Sequence, residues 1–163
     1  MLELTAAPLT AETFAPFGEV IDARTSPSFA INAGRTQRHH DLARVETLGE
    51  NAHTLINIFV SQPVTLPLEL TFLERHPQGS QAFMPLHGER FIVVVAPKGD
   101  TIDPREVRAF VTDGRQGVNY AAGTWHAINS VLECEGEFLV VDRGGEGANC
   151  DEYPLEIVVA LDE

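Results

Sequence analysis

Apolar and polar residues alternate along most of this chain, and few stretches carry a helical period. Residues 68–76 (LELTFLERH) alternate strictly. One face then holds Leu68, Leu70 and Phe72 and continues to Glu74 and His76. Residues 53–61 (HTLINIFVS) are β-branched and aromatic with partial alternation, and Gln81, Phe83 and Pro85 repeat the pattern after a Pro77–Gly79 turn signal. Residues 91–96 (FIVVVA) are apolar throughout, as a strand buried on both faces would be. Further strands are expected over 18–22, 107–112, 118–120, 125–132, 138–142 and 155–161. Helix is confined to a short segment capped by Thr10, with Glu12 in its first turn and Pro16 closing it, and to one turn at Asp103-Pro104-Arg105-Glu106. Residues 24–34 read as loop, and the polar cluster 35–41 (RTQRHHD) as its solvated continuation. Roughly ten short strands with regular turn signals and little helix predict an all-β sandwich or barrel.

Length and charge narrow the function classes. The 163 residues suit one domain, 1–163, and 24 acidic against 11 basic side chains give a net charge of -13. Such a surface is a poor match for nucleic acid or an anionic membrane. The longest apolar run is too short to span a bilayer, and the start MLELTAAPLT has neither the basic nor the apolar region of a signal peptide. Cys134 and Cys150 form no C-x-x-C pair. Reduced thiols and a cytoplasmic location are expected.

No phosphate loop, nucleophile elbow, dinucleotide fingerprint or zinc-ribbon spacing is present. The candidates for chemistry are polar residues on expected strands: Arg75, His76, Gln81, Glu89, Asn119, Tyr120, His126 and Arg143. Around them, residues 114–130 (GRQGVNYAAGTWHAINS) place three glycines among β-formers, as at a barrel corner, just before Trp125-His126. Alternation sends Trp125 and His126 to opposite faces, and an inward His126 would be a titratable group in an apolar cavity.

GVNYAAGTWHAIN resembles the second signature motif of the cupin superfamily, with Gly123, His126 and Asn129 matching and Ala121 where proline is usual. In the region of the first motif, 79–99, Glu89 resembles the motif's glutamate, but the histidine pair is missing. A more specific resemblance covers nearly the whole chain. INAGRTQRHHDLA, ERHPQGSQAFMPLHGERFIVVVAP, REVRAF, GRQGVNYAAGTWH and FLVVDRGGEGANCDE are similar, in this order, to the ureidoglycolate lyase family. The family pattern often has a second histidine where this chain has Ala127.

That resemblance implies a cupin-type double-stranded β-helix (jelly-roll barrel) with few short helices. It also implies a homodimer and an activity that splits (S)-ureidoglycolate into glyoxylate and urea in allantoin and purine breakdown. The reaction needs a base for the hydroxyl proton, an acid for the departing nitrogen, and donors or cations for the carboxylate. His126 is the expected acid or base, with Glu89 orienting it or carrying the second proton and Tyr120 donating to the developing carbonyl. Arg75 is expected to clamp the carboxylate, with Arg143 also in the binding set, and Gln81 and Asn119 to bond the ureido group. A metal is not demanded by the sequence. If a divalent ion such as nickel is present, His126, Glu89 and His76 are its expected ligands, because a tight site wants three or four converging donors. The alternatives are a ureidoglycolate amidohydrolase that releases ammonia, a metal-dependent cupin oxygenase or isomerase, and a non-catalytic cupin that binds a small carboxylic acid.

Overall fold

In a computed structural model describing residues 1–162, the all-β, cupin-type architecture is built from fourteen strands. In chain order these are β1 (Leu2–Pro8), β2 (Gly18–Ile21), β3 (Ser28–Ile31), β4 (Thr36–His39), β5 (His53–Ser61), β6 (Leu68–Arg75) and β7 (Gln81–Pro85). They continue with β8 (Phe91–Ala96), β9 (Arg108–Val111), β10 (Gly117–Tyr120), β11 (Trp125–His126), β12 (Ser130–Val131), β13 (Gly136–Gly144) and β14 (Asp151–Leu161). The expected short helix is α1 (Ala11–Phe14), where the Thr10 hydroxyl accepts from the Thr13 N–H at 3.2 Å. Asp103 caps a 3₁₀ turn at Pro104–Glu106 in the same way. No described helix is long and apolar enough to cross a membrane.

The larger sheet runs β11-β6-β14-β1-β9-β8-β12, and β11 also pairs with β8. The pairing closes it into a ring, mixed because β1 lies parallel to both β14 and β9. The second sheet, β2-β10-β7-β13-β5, is antiparallel and packs against the outside of the ring. Two cores follow from the alternation of the shared strands. Ala6, Leu68, Leu70, Leu73, Ile92, Val94, Trp125, Ile157 and Val159 fill the ring. Val93, Val95 and Phe110 point the other way and meet Phe83, Val118, Tyr120, Phe138 and Val140 of the second sheet.

Four expectations need correcting. The face expected to run from Leu68, Leu70 and Phe72 on to Glu74 and His76 switches sides, because Leu73 rather than Phe72 follows Leu70 into the ring core. The first strand, β1, was not foreseen, because its LELTAAP pattern is short and its outer residues stay exposed. Residues 24–41 are not all loop: β3 and β4 form a separate two-stranded hairpin, with Asn32 and Ala33 at positive φ in its turn. The single strand expected over 125–132 is two short strands, β11 and β12.

Candidate functional site

The site is set by the bend between β10 and β11. Ala121 to Thr124 is a tight turn closed by the Thr124 N–H on the Ala121 carbonyl at 3.0 Å, and Gly123 sits in it at φ 81°, where a side chain would be strained. The Gly123 N–H donates to the His76 carbonyl at 2.9 Å, tying the turn to the end of β6. The chain then enters β11, where His126 pairs with Glu74 on one side and Val95 on the other. Trp125 turns into the ring core, and its indole N–H donates to the Gly99 carbonyl at 2.9 Å. His126 therefore points out of the ring, into the space between the two sheets, and is 1% exposed.

Around His126 the structure gathers a carboxylate, a second imidazole and a phenol. One ligand atom each of Glu74, His76 and His126 lies within 4.8 Å of the others. The Tyr120 ring stacks on the His126 ring at 4.2 Å, and the His76 ring lies tilted at 5.2 Å. The His126 Nδ1–H donates to the Ala127 carbonyl at 3.0 Å, and the His76 Nδ1–H to the Asn149 carbonyl at 2.7 Å. A carbonyl only accepts, so both rings carry hydrogen on Nδ1, and the neutral His126 ring presents Nε2 as a lone pair. Neither Nε2 has a hydrogen-bond partner among the described residues, since Glu74 Oε1 stands 3.8 Å from His76 Nε2.

Electrostatics separate the members. Burial lowers the His126 imidazole to about 3, against the help of the Ala127 carbonyl and with a further push from His76. Burial raises the Glu74 carboxyl, Glu152 adds to this, and His76 opposes it. Burial, with the Glu74 charge, pushes the Tyr120 phenol up. His126 is thus a neutral acceptor at ordinary pH, while Glu74 is the carboxyl moved toward neutrality.

The expected residues divide. His126, Tyr120 and His76 come together, and Gln81 joins them, directly opposite Tyr120 across the β7–β10 pair. Glu89 does not. It precedes the start of β8 at Phe91, whereas His126 pairs at Val95, and that stretch alone spans about 13 Å. Its oxygens accept the backbone N–H groups of His87 and Glu137 at 2.8 and 3.1 Å. Burial works to raise its carboxyl, but these backbone donors prevail and hold it below the usual range. Glu74, rather than Glu89, stands beside His126 and completes the group of three that could hold a metal ion.

Arg75 also faces away, one residue out of phase with Glu74 and His76. It donates to Asp151 at 2.9 Å and the Gly99 carbonyl at 2.6 Å, and its guanidinium lies 4.7 Å above the Trp125 ring. Arg143 spends its donors on the Leu48 and Glu146 carbonyls and on Gln78. Asn119 lies on the outer face of its sheet, bonding Glu19 and the Arg44 carbonyl. Ala127 points into the ring core, so a longer side chain there would not meet His126. The sequence signal for Glu74 is its parity with His76, two residues along the chain. Asp142, which accepts from both Asn57 and Gln81, had no such signal.

Comparison with known proteins gives one consistent result. The family model described as ureidoglycolate lyase matches residues 1–162. A protein of Stutzerimonas stutzeri named ureidoglycolate lyase is 54% identical over 153 residues, covering 94% of this chain and 90% of its own. Proteins of the same name from Chelativorans sp. and Pseudomonas paraeruginosa are 52% identical over 161 residues and 53% over 153, covering 96% and 94% of this chain and 97% and 90% of theirs.

Proposed function

This chain belongs to the ureidoglycolate lyase family, and on that footing we propose that it cleaves the C–N bond of (S)-ureidoglycolate to give glyoxylate and intact urea. The observation that carries the reading is the convergence of Glu74, His76 and His126 beside Tyr120 and Gln81. The substrate is a carbinolamine: loss of its hydroxyl proton lets the C=O bond form as the C–N pair leaves, and the departing urea nitrogen takes a proton. No water is consumed. Glu74, raised by burial, is better matched to accept the hydroxyl proton than His126, which stays neutral and accepts a hydrogen bond through Nε2. His76, between Glu74 and His126, is placed to return the proton to nitrogen. Tyr120 holds the His126 ring in plane, and its buried phenol stays protonated as a donor.

A second reading has its own support. Two imidazole lone pairs and a carboxylate within 4.8 Å suit a divalent ion such as nickel, and the acceptor-rich lining offers the substrate carboxylate no arginine from Arg75 or Arg143. Bound there, an ion would supply Lewis-acid polarisation of a substrate oxygen and a counter-charge.

The wider setting we infer is one domain acting in allantoin and purine breakdown as a cytoplasmic homodimer, without nucleic-acid or membrane partners. Both cysteines are free and exposed, which agrees with a reducing compartment. The dimer is supported by β5, an edge strand whose outer face exposes Ile56, Ile58 and Val60 at 75%, 54% and 56%. Sedimentation of the wild type and Ile58→Glu tests it: a dimer that dissociates on substitution is expected, and a wild-type monomer overturns it. The activity is tested by following urea, ammonia and glyoxylate from fresh ureidoglycolate with metal-stripped protein. Equal urea and glyoxylate without ammonia is the expected outcome. Ammonia in place of urea overturns the lyase, and activity only on adding a divalent ion selects the second reading.

A further inference from the structure

We propose that Asp142 is a positioning residue that locks the Gln81 amide with its carbonyl toward the ligand, making Gln81 the acceptor for the ureido N–H groups. The inference rests on the lyase reading above and names the end of the substrate that lies beside Tyr120. Asp142 on β13, Asn57 on β5 and Gln81 on β7 share the face that looks at the ring. Asn57 is directly opposite Val140, and Gln81 directly opposite Tyr120, both of the core between the sheets. The Asp142 carboxylate receives one amide on each oxygen: Asn57 Nδ2 donates to Oδ1 at 2.9 Å and Gln81 Nε2 to Oδ2 at 3.1 Å.

A carboxylate can only accept, which decides the orientation of the Gln81 amide by chemistry. Turning it over would set Oε1 against a carboxylate oxygen, lone pair to lone pair. Gln81 is 7% exposed, and its Oε1 is buried without a hydrogen-bond partner among the described residues. A buried acceptor left unpaired is costly, so this oxygen calls for a donor that the ligand brings. Within the proposed substrate, the ureido half supplies N–H donors, whereas the glyoxylate half ends in oxygens alone. His126 Nε2, another unpartnered buried atom here, is also an acceptor, because the His126 Nδ1–H is committed to the Ala127 carbonyl. The buried acceptors Gln81 Oε1 and His126 Nε2 therefore select a donor-rich group.

The test compares product inhibition by urea and by glyoxylate in the wild type, Asp142→Leu and Asp142→Asn. Folding is checked by circular dichroism. Asp142→Leu is expected to weaken urea inhibition and raise KM for ureidoglycolate by about tenfold, with glyoxylate inhibition changed by less than about twofold. Asp142→Asn keeps an oxygen for Gln81 Nε2 while the Asn57 amide turns its own oxygen to the new N–H₂, and it is expected to stay near wild type, which a purely structural loss at this position would not do. Equal weakening of both products, or no change for urea in Asp142→Leu, overturns the proposal. If the wild type turns over no ureidoglycolate, the lyase reading fails separately. Urea binding by saturation-transfer NMR then still tests Gln81 and Asp142, and urea binding unchanged by Asp142→Leu overturns their role.

Discussion

The Tyr120 phenol lies flat on the His126 imidazole, with ring centroids 4.2 Å apart and planes 6° from parallel. The stack joins the two layers of the fold, because Tyr120 belongs to the antiparallel sheet and His126 to the ring. It fixes the one ring torsion that aims His126 Nε2 between them. Tyr120→Phe keeps the stack and is expected to cost under about 1 kcal/mol in urea denaturation. Tyr120→Leu gives up an aromatic pair worth about 0.5–1.5 kcal/mol beyond its buried area and should be the less stable of the two.

His126 sets a pH dependence of stability whose sign is fixed by its depressed pKa. Folded, the imidazole gains its proton only near pH 3, whereas unfolded it does so near the ordinary 6.5. Between these values the unfolded chain binds more protons, so stability falls as pH drops through that window. The raised Glu74 carboxyl acts in the opposite sense above the ordinary 4.5, where the folded state holds the extra proton. Thermal unfolding across pH 3 to 6.5 should show a shallower acid loss in His126→Asn than in the wild type. An unchanged slope would mean that His126 is not the buried neutral group.

The paired imidazoles carry both readings of the reaction. His126→Ala is expected to lower kcat at least about a hundredfold with the fold intact, because the Nε2 acceptor that positions the substrate beside Glu74 and His76 is lost. If a divalent ion binds here, calorimetric titration with nickel should detect it in the wild type and lose it in both His126→Ala and His76→Ala. Retained binding in the two variants would place any ion elsewhere.

Arg75 is expected to affect stability rather than substrate affinity. Its guanidinium joins Asp151 and the Gly99 carbonyl above Trp125, and Arg75→Ala should cost about 1–2 kcal/mol, given about 0.5–1 for the cation–π contact alone. KM for ureidoglycolate should stay unchanged. A strongly raised KM with normal stability would restore Arg75 to the carboxylate.

Much of the framework was legible because strand period and burial agree. The expected bounds of β5 and β8 coincide with those observed, and the Thr10 and Asp103 caps form as their side chains dictate. Parity explains most of the rest. Glu74 and His76 do share a face, yet the apolar cluster passes from Leu70 to Leu73, beside a register shift in β14 between Pro154 and Ile157 that adds twist. The same parity argument separates Asn119 from Tyr120 and Arg75 from His76, since neighbours on a strand cannot face one cavity. Two facts were beyond one sequence. Whether Glu89 or Glu74 meets His126 depends on how β6 and β8 flank β11. The Asp142–Gln81 contact depends on the pairing of β7 with β13.

The most direct measurement is kcat/KM for ureidoglycolate in Glu74→Gln beside Glu89→Gln, each at matched folded fraction. A site assembled at Glu74, His76 and His126 predicts a loss of at least about a hundredfold in Glu74→Gln. It predicts near-normal turnover in Glu89→Gln, whose deficit should appear as lost stability from weakened bonds to the His87 and Glu137 backbone. The reverse pattern, activity lost with Glu89 and kept without Glu74, would contradict it.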